Sequence, residues 1–373
     1  MYNVYQHWDP LKVCIVGKSY TPEFYSFIKN PRVRSVMQRI ASETEEDYQK
    51  LITLLGSFGV EVLRPIVTDN YLDYLIDSKI SAPPMTPRDY SAMIGNNLYF
   101  DVDSIVSKWN ILRGDSWPIN PPAYNNIPQW ILDECQNSFN ISMSFKYKTY
   151  KNLLQQLSTD TNIIVDTNIN SAMTTRVGRD LYFGTDLGFD DNDIGSKKIK
   201  YEKLFPDYRC HIINTQGHSD GTFCPVKPGL IVSLCDIPTY KNTFPDWEVV
   251  YLPGQSWSKV KPFLELKEKN RGKWWVPGEE LNDEFTEFVE SWLSHWVGYV
   301  EETVFDVNML VIDEQNVVCN NYNEQVFEAF SRHGITPHIV NFRHRYFWDG
   351  GLHCITSDIH RQGTIKDYFP ERG

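Results

Sequence analysis

The chain has 373 residues, of which 41% are hydrophobic and 23% charged, a composition typical of a globular protein with a substantial core. Its formal net charge of −12 argues against a nucleic-acid partner, because no segment dense in lysine and arginine is available to neutralise phosphates. No apolar run reaches the roughly eighteen residues of a membrane span, and the first residues lack the pattern of a secretory signal. We therefore predict a cytoplasmic protein without a membrane partner.

The cysteines also bear on the compartment and on cofactors. They number seven, are widely scattered and include no CxxC pair, which fits reduced thiols rather than a disulfide framework or a zinc site. No Gly-rich phosphate-binding loop is present. We therefore expect neither a metal nor an organic cofactor, and most of the cysteines should be small core residues.

In chain order, the first predicted elements are a helix with apolar residues at helical spacing around 48–58 and a strand at 60–65, separated by Gly59. Similar helix-to-strand corners follow at 153–166, 203–214, 242–253 and 330–342. Between them, residues 93–103, 176–186 and 228–236 each resemble a strand opened by glycine. This alternation favours an α/β repeat architecture.

One polar side chain precedes each of several glycines in these repeats. The pairs are Asp89 with Gly95, Asn170 with Gly178, Asp220 with Gly229, and Cys354 with Gly363. If the repeats surround an axis, the polar groups converge on one central site. The alternative is that Asp and Asn precede strands only because they form turns.

Singly, each of these side chains has an ordinary structural explanation. His218 and Asp220 lie two residues apart and would share one side of an extended segment, but each also fits a core hydrogen bond or a turn. Cys354 fits a buried thiol. Together with Asp89 they form a consistent site, in which the thiolate attacks, two carboxylates hold a guanidinium and the imidazole transfers protons.

The order of the motifs resembles a known family. The segments are "WDPLKVCIVG", "TPRD", "RVGRD", "GHSDGTF", "NMLVIDE" and the terminal "GGLHCITSDIHRQGTIKDY", and they span nearly the whole chain. In this order they are similar to the amidinotransferases, which include arginine:glycine and inosamine-phosphate amidinotransferases and belong to the pentein superfamily of guanidine-modifying enzymes.

The resemblance implies a single domain over residues 1–373, an α/β fold of five pseudo-symmetric helix–strand modules that form a propeller around a central site. It implies that Cys354 is the nucleophile, His218 the general acid and base, and Asp89 and Asp220 the guanidinium clamps. The expected reaction moves an amidino group from a guanidine donor to an amine acceptor through an amidino-cysteine. The expected partners are these small molecules, and a homodimer is compatible with the family.

Two regions depart from the family pattern. The acidic partner of the histidine falls at Asn170, an amide that orients an imidazole without stabilising its charged form, and Asp166 takes this place if the segment is shifted. Where arginine-using relatives bind the donor carboxylate, a gapless alignment places Ile237, Glu301 and Glu302. The two glutamates either form a solvated helix edge or indicate an amine-bearing ligand.

Three functions therefore remain open from the sequence. The first is an amidinotransferase, which the resemblance favours. The second is a guanidine hydrolase of the same superfamily, a deiminase or dihydrolase in which water replaces the acceptor amine. The third is a catalytically silent guanidine-binding protein, for which Asn170 is the support.

Overall fold

The computed structural model describes residues 1–76, 79–100, 124–125, 149, 153–165, 169, 171–185, 191–215, 217–234, 240–252, 255, 276–279, 281–293, 306–348 and 350–373. The predicted site residues Asn170, Glu301 and Glu302 lie outside the described residues, as do Asp166 and Ile237. Their predicted roles therefore stay predictions.

Short strands and a few helices make up the described chain. The strands are β1 Leu11–Val16, β2 Glu61–Leu63, β3 Leu75–Ile76, β4 Lys79–Ile80, β5 Ser91–Ile94, β6 Asn97–Phe100, β7 Tyr124–Asn125, β8 Asn162–Val165, β9 Thr174–Val177, β10 Asp180–Gly184, β11 Arg209–Ile213, β12 Phe223–Lys227, β13 Leu230–Leu234, β14 Glu248–Leu252, β15 Leu310–Asp313, β16 Asn316–Cys319, β17 Thr336–Ile339 and β18 Thr356–Arg361. The α-helices are α1 Pro31–Ser57, α2 Asp191–Leu204, α3 Asp283–Phe288, α4 Glu324–Arg332 and α5 Arg345–Trp348.

Five sheets of the described chain share one internal pattern. In each, an antiparallel pair of strands is joined by a third strand that runs parallel to the second. The strand orders are β18-β1-β2, β5-β6-β8, β9-β10-β11, β12-β13-β14 and β15-β16-β17, and β7 adds to the second of these sheets. The α/β class and the repetition predicted from the sequence are confirmed.

The glycines of the repeats lie in hairpin turns. Gly95, Gly178 and Gly229 have φ values of 56°, 64° and 88° and connect β5 to β6, β9 to β10 and β12 to β13. Glycine is favoured there because a side chain makes this left-handed backbone unfavourable. The prediction of one strand opened by glycine was therefore incomplete, since two paired strands flank each glycine.

The last repeat is completed by the opposite end of the chain. Cys354 lies two residues before the strand β18, and the partner of β18 is β1, near the N-terminus. Gly363 follows β18 and opens no strand, so its predicted equivalence to the hairpin glycines was wrong. The sheet β18-β1-β2 thus joins the first and last strands of the described chain.

The predicted helix-to-strand corners match the structure at most positions. The helix α1 begins where the Asn30 side chain accepts hydrogen bonds from the backbone N–H groups of Arg32 and Val33, which satisfies otherwise unpaired donors. It ends before Gly59, at φ 71°, and leads into β2. The corners after α2 and α4 lead in the same way into β11 and β17, whereas the described residues 240–247 before β14 form turns rather than an α-helix.

A buried cluster of charges joins several sheets. Asp358 on β18 accepts hydrogen bonds from Arg88 at 3.1 Å, Arg176 at 2.8 Å and Arg361 at 2.7 Å, and all four side chains are buried. Burial by itself would raise the pKa of Asp358, but the three guanidinium groups outweigh it and hold the pKa well below its usual value. Further donors of Arg176 and Arg361 bind the carbonyl groups of Met93, Asp9 and Val311, so the cluster connects β5, β9, β15 and β18.

Candidate active site

The loop that carries Cys354 packs closely against neighbouring segments of the chain. A side-chain carbon on Gly351 would lie 2.4 Å from Asn308 Oδ1, and one on Gly350 would lie 3.1 Å from Thr86. Glycine at both positions therefore lets the loop lie directly against its neighbours. The result is a cysteine residue that is only 2% exposed and lies two residues before the first residue of β18.

Asp220 lies next to this sulfur and to the preceding histidine. Its Oδ2 atom is 3.5 Å from Cys354 Sγ and 2.8 Å from His353 Nδ1. Burial, followed by the charge of Arg88, lowers the pKa of His353 well below its ordinary value, so the ring is neutral near pH 7. A neutral ring that donates its Nδ1–H to Asp220 fixes the orientation of this carboxylate.

His218 and Asp89 form a second pair at a more open position. His218 Nδ1 lies 4.0 Å from Asp89 Oδ1, and their side chains are 26% and 27% exposed. His218 immediately precedes the 3₁₀ turn Ser219–Gly221, which contains Asp220. The condition under which His218 and Asp220 would share one side, an extended segment 218–220, is therefore not met, because Asp220 lies in that turn.

The turn that contains Asp89 is fixed to the Cys354 loop. The 3₁₀ turn Pro87–Asp89 places Arg88 in the interior, where its Nε donates to the carbonyl oxygen of His353 at 2.8 Å. The same guanidinium binds Asp358. In the "PRD" motif, Pro87 therefore sets the turn, Arg88 fixes it to the loop and Asp89 remains at the surface of the site.

The structure thus brings the predicted residues together in two pairs on adjoining turns. Cys354 lies with Asp220, and His218 lies with Asp89. A thiol that can act as a nucleophile, two carboxylates and an imidazole are the groups that covalent chemistry on a cationic carbon centre requires. Within the described residues, no group of three or more His, Cys, Asp or Glu side chains could hold a metal ion.

Two residues at the site were not predicted. His353 lies beside Cys354 in sequence, and its contact with Asp220 needed the fold. Asn308 could have been found from its position in the repeat. It lies two residues before β15, just as Asp89 lies two residues before β5 and Cys354 two residues before β18. The segment "NMLVIDE" was recognised as a motif, but its first residue was not considered as the polar group of that repeat.

Comparison with known proteins finds relatives over nearly the whole chain. No protein-family profile matches the chain. Mitochondrial glycine amidinotransferase of Xenopus tropicalis is 24% identical over 400 residues, which cover 98% of this chain and 84% of the relative. Inosamine-phosphate amidinotransferase 1 of Streptomyces glaucescens is 22% identical and covers 98% of both chains.

The chain is homologous to the amidinotransferases. This confirms the resemblance predicted from the sequence, and the relatives are named as amidinotransferases, which are transferase enzymes. Among solved structures, an amidinotransferase of Microseira wollei in the saxitoxin biosynthetic pathway superposes with a TM-score of 0.62, 19% identity and 99% coverage of each chain. At this identity the superposition establishes a common fold.

Proposed function

We propose that this protein is an amidinotransferase that moves an amidino group from a guanidine donor to an acceptor amine. The homology supports the reaction class. The observation that carries the proposal is the 3.5 Å separation of Cys354 Sγ and Asp220 Oδ2. A thiol this close to a carboxylate supports a nucleophile beside a group suited to bind a guanidinium, and the pair of His218 and Asp89 adjoins it.

In the first half-reaction, Asp220 and Asp89 bind the guanidinium, whose positive charge favours the thiolate of Cys354. The sulfur attacks the guanidino carbon and forms a C–S bond. The C–N bond to the rest of the donor then breaks, and His218 gives a proton to the departing amine. The product of this step is an amidino group bound to Cys354.

In the second half-reaction, the acceptor amine attacks the amidino carbon and His218 takes a proton from it. The C–S bond breaks and the sulfur leaves as a thiolate, which restores the enzyme. Asn170, or Asp166 if the segment is shifted, orients His218 in this proposal.

A test with and without acceptor separates transfer from hydrolysis. With arginine or agmatine alone, the transferase should release at most one equivalent of amine per active site. Addition of glycine or a diamine should start turnover and give a new guanidino compound. Mass spectrometry and an ammonia assay measure these products, and multiple turnovers to a ureido product and ammonia without an amine acceptor would instead establish the hydrolase.

The preferred charge on the donor depends on the residues that stand where arginine-using relatives bind the donor carboxylate. If Glu301, Glu302 and Ile237 line that part of the pocket, arginine lacks a cationic partner there and meets like charge, at a cost of roughly 1–3 kcal/mol. We expect agmatine to exceed arginine as donor by about tenfold to a hundredfold in kcat/KM. The same comparison of glycine with a diamine tests the acceptor.

A different cation near the terminal motif is the alternative receiver of a carboxylate. Arg343 is unsuited to this role, because its guanidinium is bound by Asp47 and Glu46. Arg345 donates to the hydroxyl of Tyr346 and remains the candidate. A clear preference for arginine and glycine, lost in Arg345→Met, would replace the amine pocket by this site and leave the transfer reaction in place.

We further propose that residues 1–373 form a single pentein-type domain, in which the five sheets surround a central axis. The support is the common pattern of these sheets and the pairing of the first and last strands. The Asp358 cluster, which contacts four of the sheets, would lie close to that axis. Such an arrangement explains why polar residues that precede the first strand of different sheets meet at one site.

We propose the cytoplasm as the location and small molecules as the partners. Cys14, Cys210, Cys224, Cys319 and Cys354, the cysteines in the described part of the chain, are all free thiols, as expected in a reducing compartment. Across the described ranges, none of the helices is long and apolar enough to cross a bilayer. The acidic net charge agrees with a cationic substrate and disfavours nucleic acid.

A further inference from the structure

Asn308 is a buried amide at the centre of the Cys354 loop. Its side chain belongs to a residue that is only 1% exposed, and it enters from the segment before β15, a different sheet from the one that contains β18. Gly351 packs against it so closely that a side-chain carbon there would meet Asn308 Oδ1 at 2.4 Å. The loop is therefore shaped around this amide.

The contacts of Asn308 fix which end of the amide faces the sulfur. Its Oδ1 accepts hydrogen bonds from the backbone N–H groups of His353 at 2.8 Å and Cys354 at 3.3 Å. Its Nδ2 lies 3.0 Å from Cys354 Sγ and 3.3 Å from the carbonyl oxygen of Asp220. A flipped amide would place N–H against N–H and oxygen against oxygen, so an N–H group must point at the sulfur.

We propose that Asn308 is a positioning residue that holds the Cys354 sulfur and stabilises its thiolate through the Nδ2–H group. Asp220 Oδ2 lies 3.5 Å from the same sulfur, and this carboxylate opposes a thiolate by like charge. A neutral donor 3.0 Å from the sulfur reduces that penalty without adding charge to the site. The inference rests on the proposed role of Cys354 as the nucleophile.

Other ionisable groups lie near the Cys354 loop, and substitutions at Asn308 do not remove them. Burial lowers the pKa of His353 and of His7, whose rings lie 5.9 Å apart, so both are neutral near pH 7. Among the described residues, the charged or titratable side chains near the loop include Arg88, Asp89, His218, Asp220 and Asp358, and the charge of Arg176 also acts on His353. A substitution at Asn308 leaves each of them in place.

The test measures the acidity of the sulfur without any guanidine substrate. The rate of alkylation of Cys354 by iodoacetamide is recorded against pH in the full chain, with the alkylated peptide identified by mass spectrometry. Asn308→Asp keeps the oxygen that binds the two backbone N–H groups and replaces the donor by an acceptor. We expect the midpoint to rise by about one to two pH units, so that alkylation at pH 7 falls about tenfold to a hundredfold.

Two further variants make the result decisive. Asn308→Ala removes the donor without adding charge and should shift the midpoint in the same direction by a smaller amount. Asn316→Asp changes an amide in the neighbouring strand β16, where Nδ2 binds Asp313, and should leave the midpoint unchanged. Thermal unfolding shows whether each variant is folded. If Asn308→Asp is unfolded, the alkylation midpoint of Asn308→Ala provides the test.

Two other buried cysteines serve as internal controls for the alkylation experiment. Burial raises the pKa of Cys14 and Cys224 to about 12, so these thiols should remain unmodified in every variant. An unchanged midpoint in a folded Asn308→Asp or Asn308→Ala protein would overturn the inference. Because no substrate is used, that result is distinct from a failure of the proposed function, which would appear as turnover in a protein without Cys354.

Discussion

Replacement of Cys354 by alanine is expected to abolish turnover while the protein remains folded. The sulfur forms the covalent bond of the proposed reaction, so its loss should lower kcat by roughly 10⁴-fold or more. The side chain is small, and its removal leaves the contacts of Asn308 with the loop backbone in place. Product formation with a guanidine donor and an acceptor amine measures the first effect, and thermal unfolding measures the second.

A matched cysteine separates loss of the nucleophile from loss of a buried thiol. Cys210 on β11 is also buried, and burial raises the pKa of its thiol to about 12. Cys210→Ala should therefore retain activity within a few-fold. If Cys354→Ala turned over at the same rate as Cys210→Ala, the covalent mechanism would have to be abandoned.

Replacement of Asp358 by asparagine is expected to give the largest loss of stability. The substitution keeps the shape of the side chain but leaves three buried guanidinium groups without their shared carboxylate. Removal of one partner of a buried ion pair costs about 3–5 kcal/mol in the free energy of unfolding. Denaturant unfolding at neutral pH measures this loss.

The pH dependence of that loss has a definite sign. The pKa of Asp358 is lowered in the folded protein from an unfolded value of about 3.9, so its contribution is present above that pH. It disappears as the pH falls through the folded value. The difference between the protein and Asp358→Asn should therefore shrink in acid.

An ion pair at the surface provides the control for Asp358. Asp367 pairs with Arg209, but its side chain is 25% exposed, and exposed pairs contribute about 1 kcal/mol or less. Asp367→Asn should accordingly change stability little at neutral pH. Equal losses in Asp358→Asn and Asp367→Asn would contradict the central structural role given to the buried cluster.

The repeats were predictable because they rest on local chemistry. Helical spacing before Gly59 and the recurring glycines Gly95, Gly178 and Gly229 before apolar strands are visible in a single sequence, although the first strand of each hairpin was not predicted. The pairing of β1 with β18 was not predicted, since it joins residues about 340 positions apart and leaves no local pattern. The Asp358 cluster was missed for a similar reason, because its members read individually as ordinary charged residues.

At the site, too, the residues within motifs were predictable from the sequence, whereas the contacts between distant segments were not. Asp89, His218, Asp220 and Cys354 were predicted as site residues through motif order, and each lies in a turn or loop shortly before a strand. The contact of His353 with Asp220 and the reach of Asn308 to the sulfur depend on the packing of different sheets. Neither distance could be derived from spacing alone.

The proposed reaction requires Cys354 to carry the amidino group from donor to acceptor. The most direct measurement is mass spectrometry of the protein after incubation with a panel of guanidine donors, arginine and agmatine among them, without acceptor. We expect a mass increase of one amidino group on the peptide that contains Cys354, which disappears when an acceptor amine is added. A donor that is consumed in the presence of acceptor while Cys354 remains unmodified in its absence would rule out the amidino-cysteine intermediate.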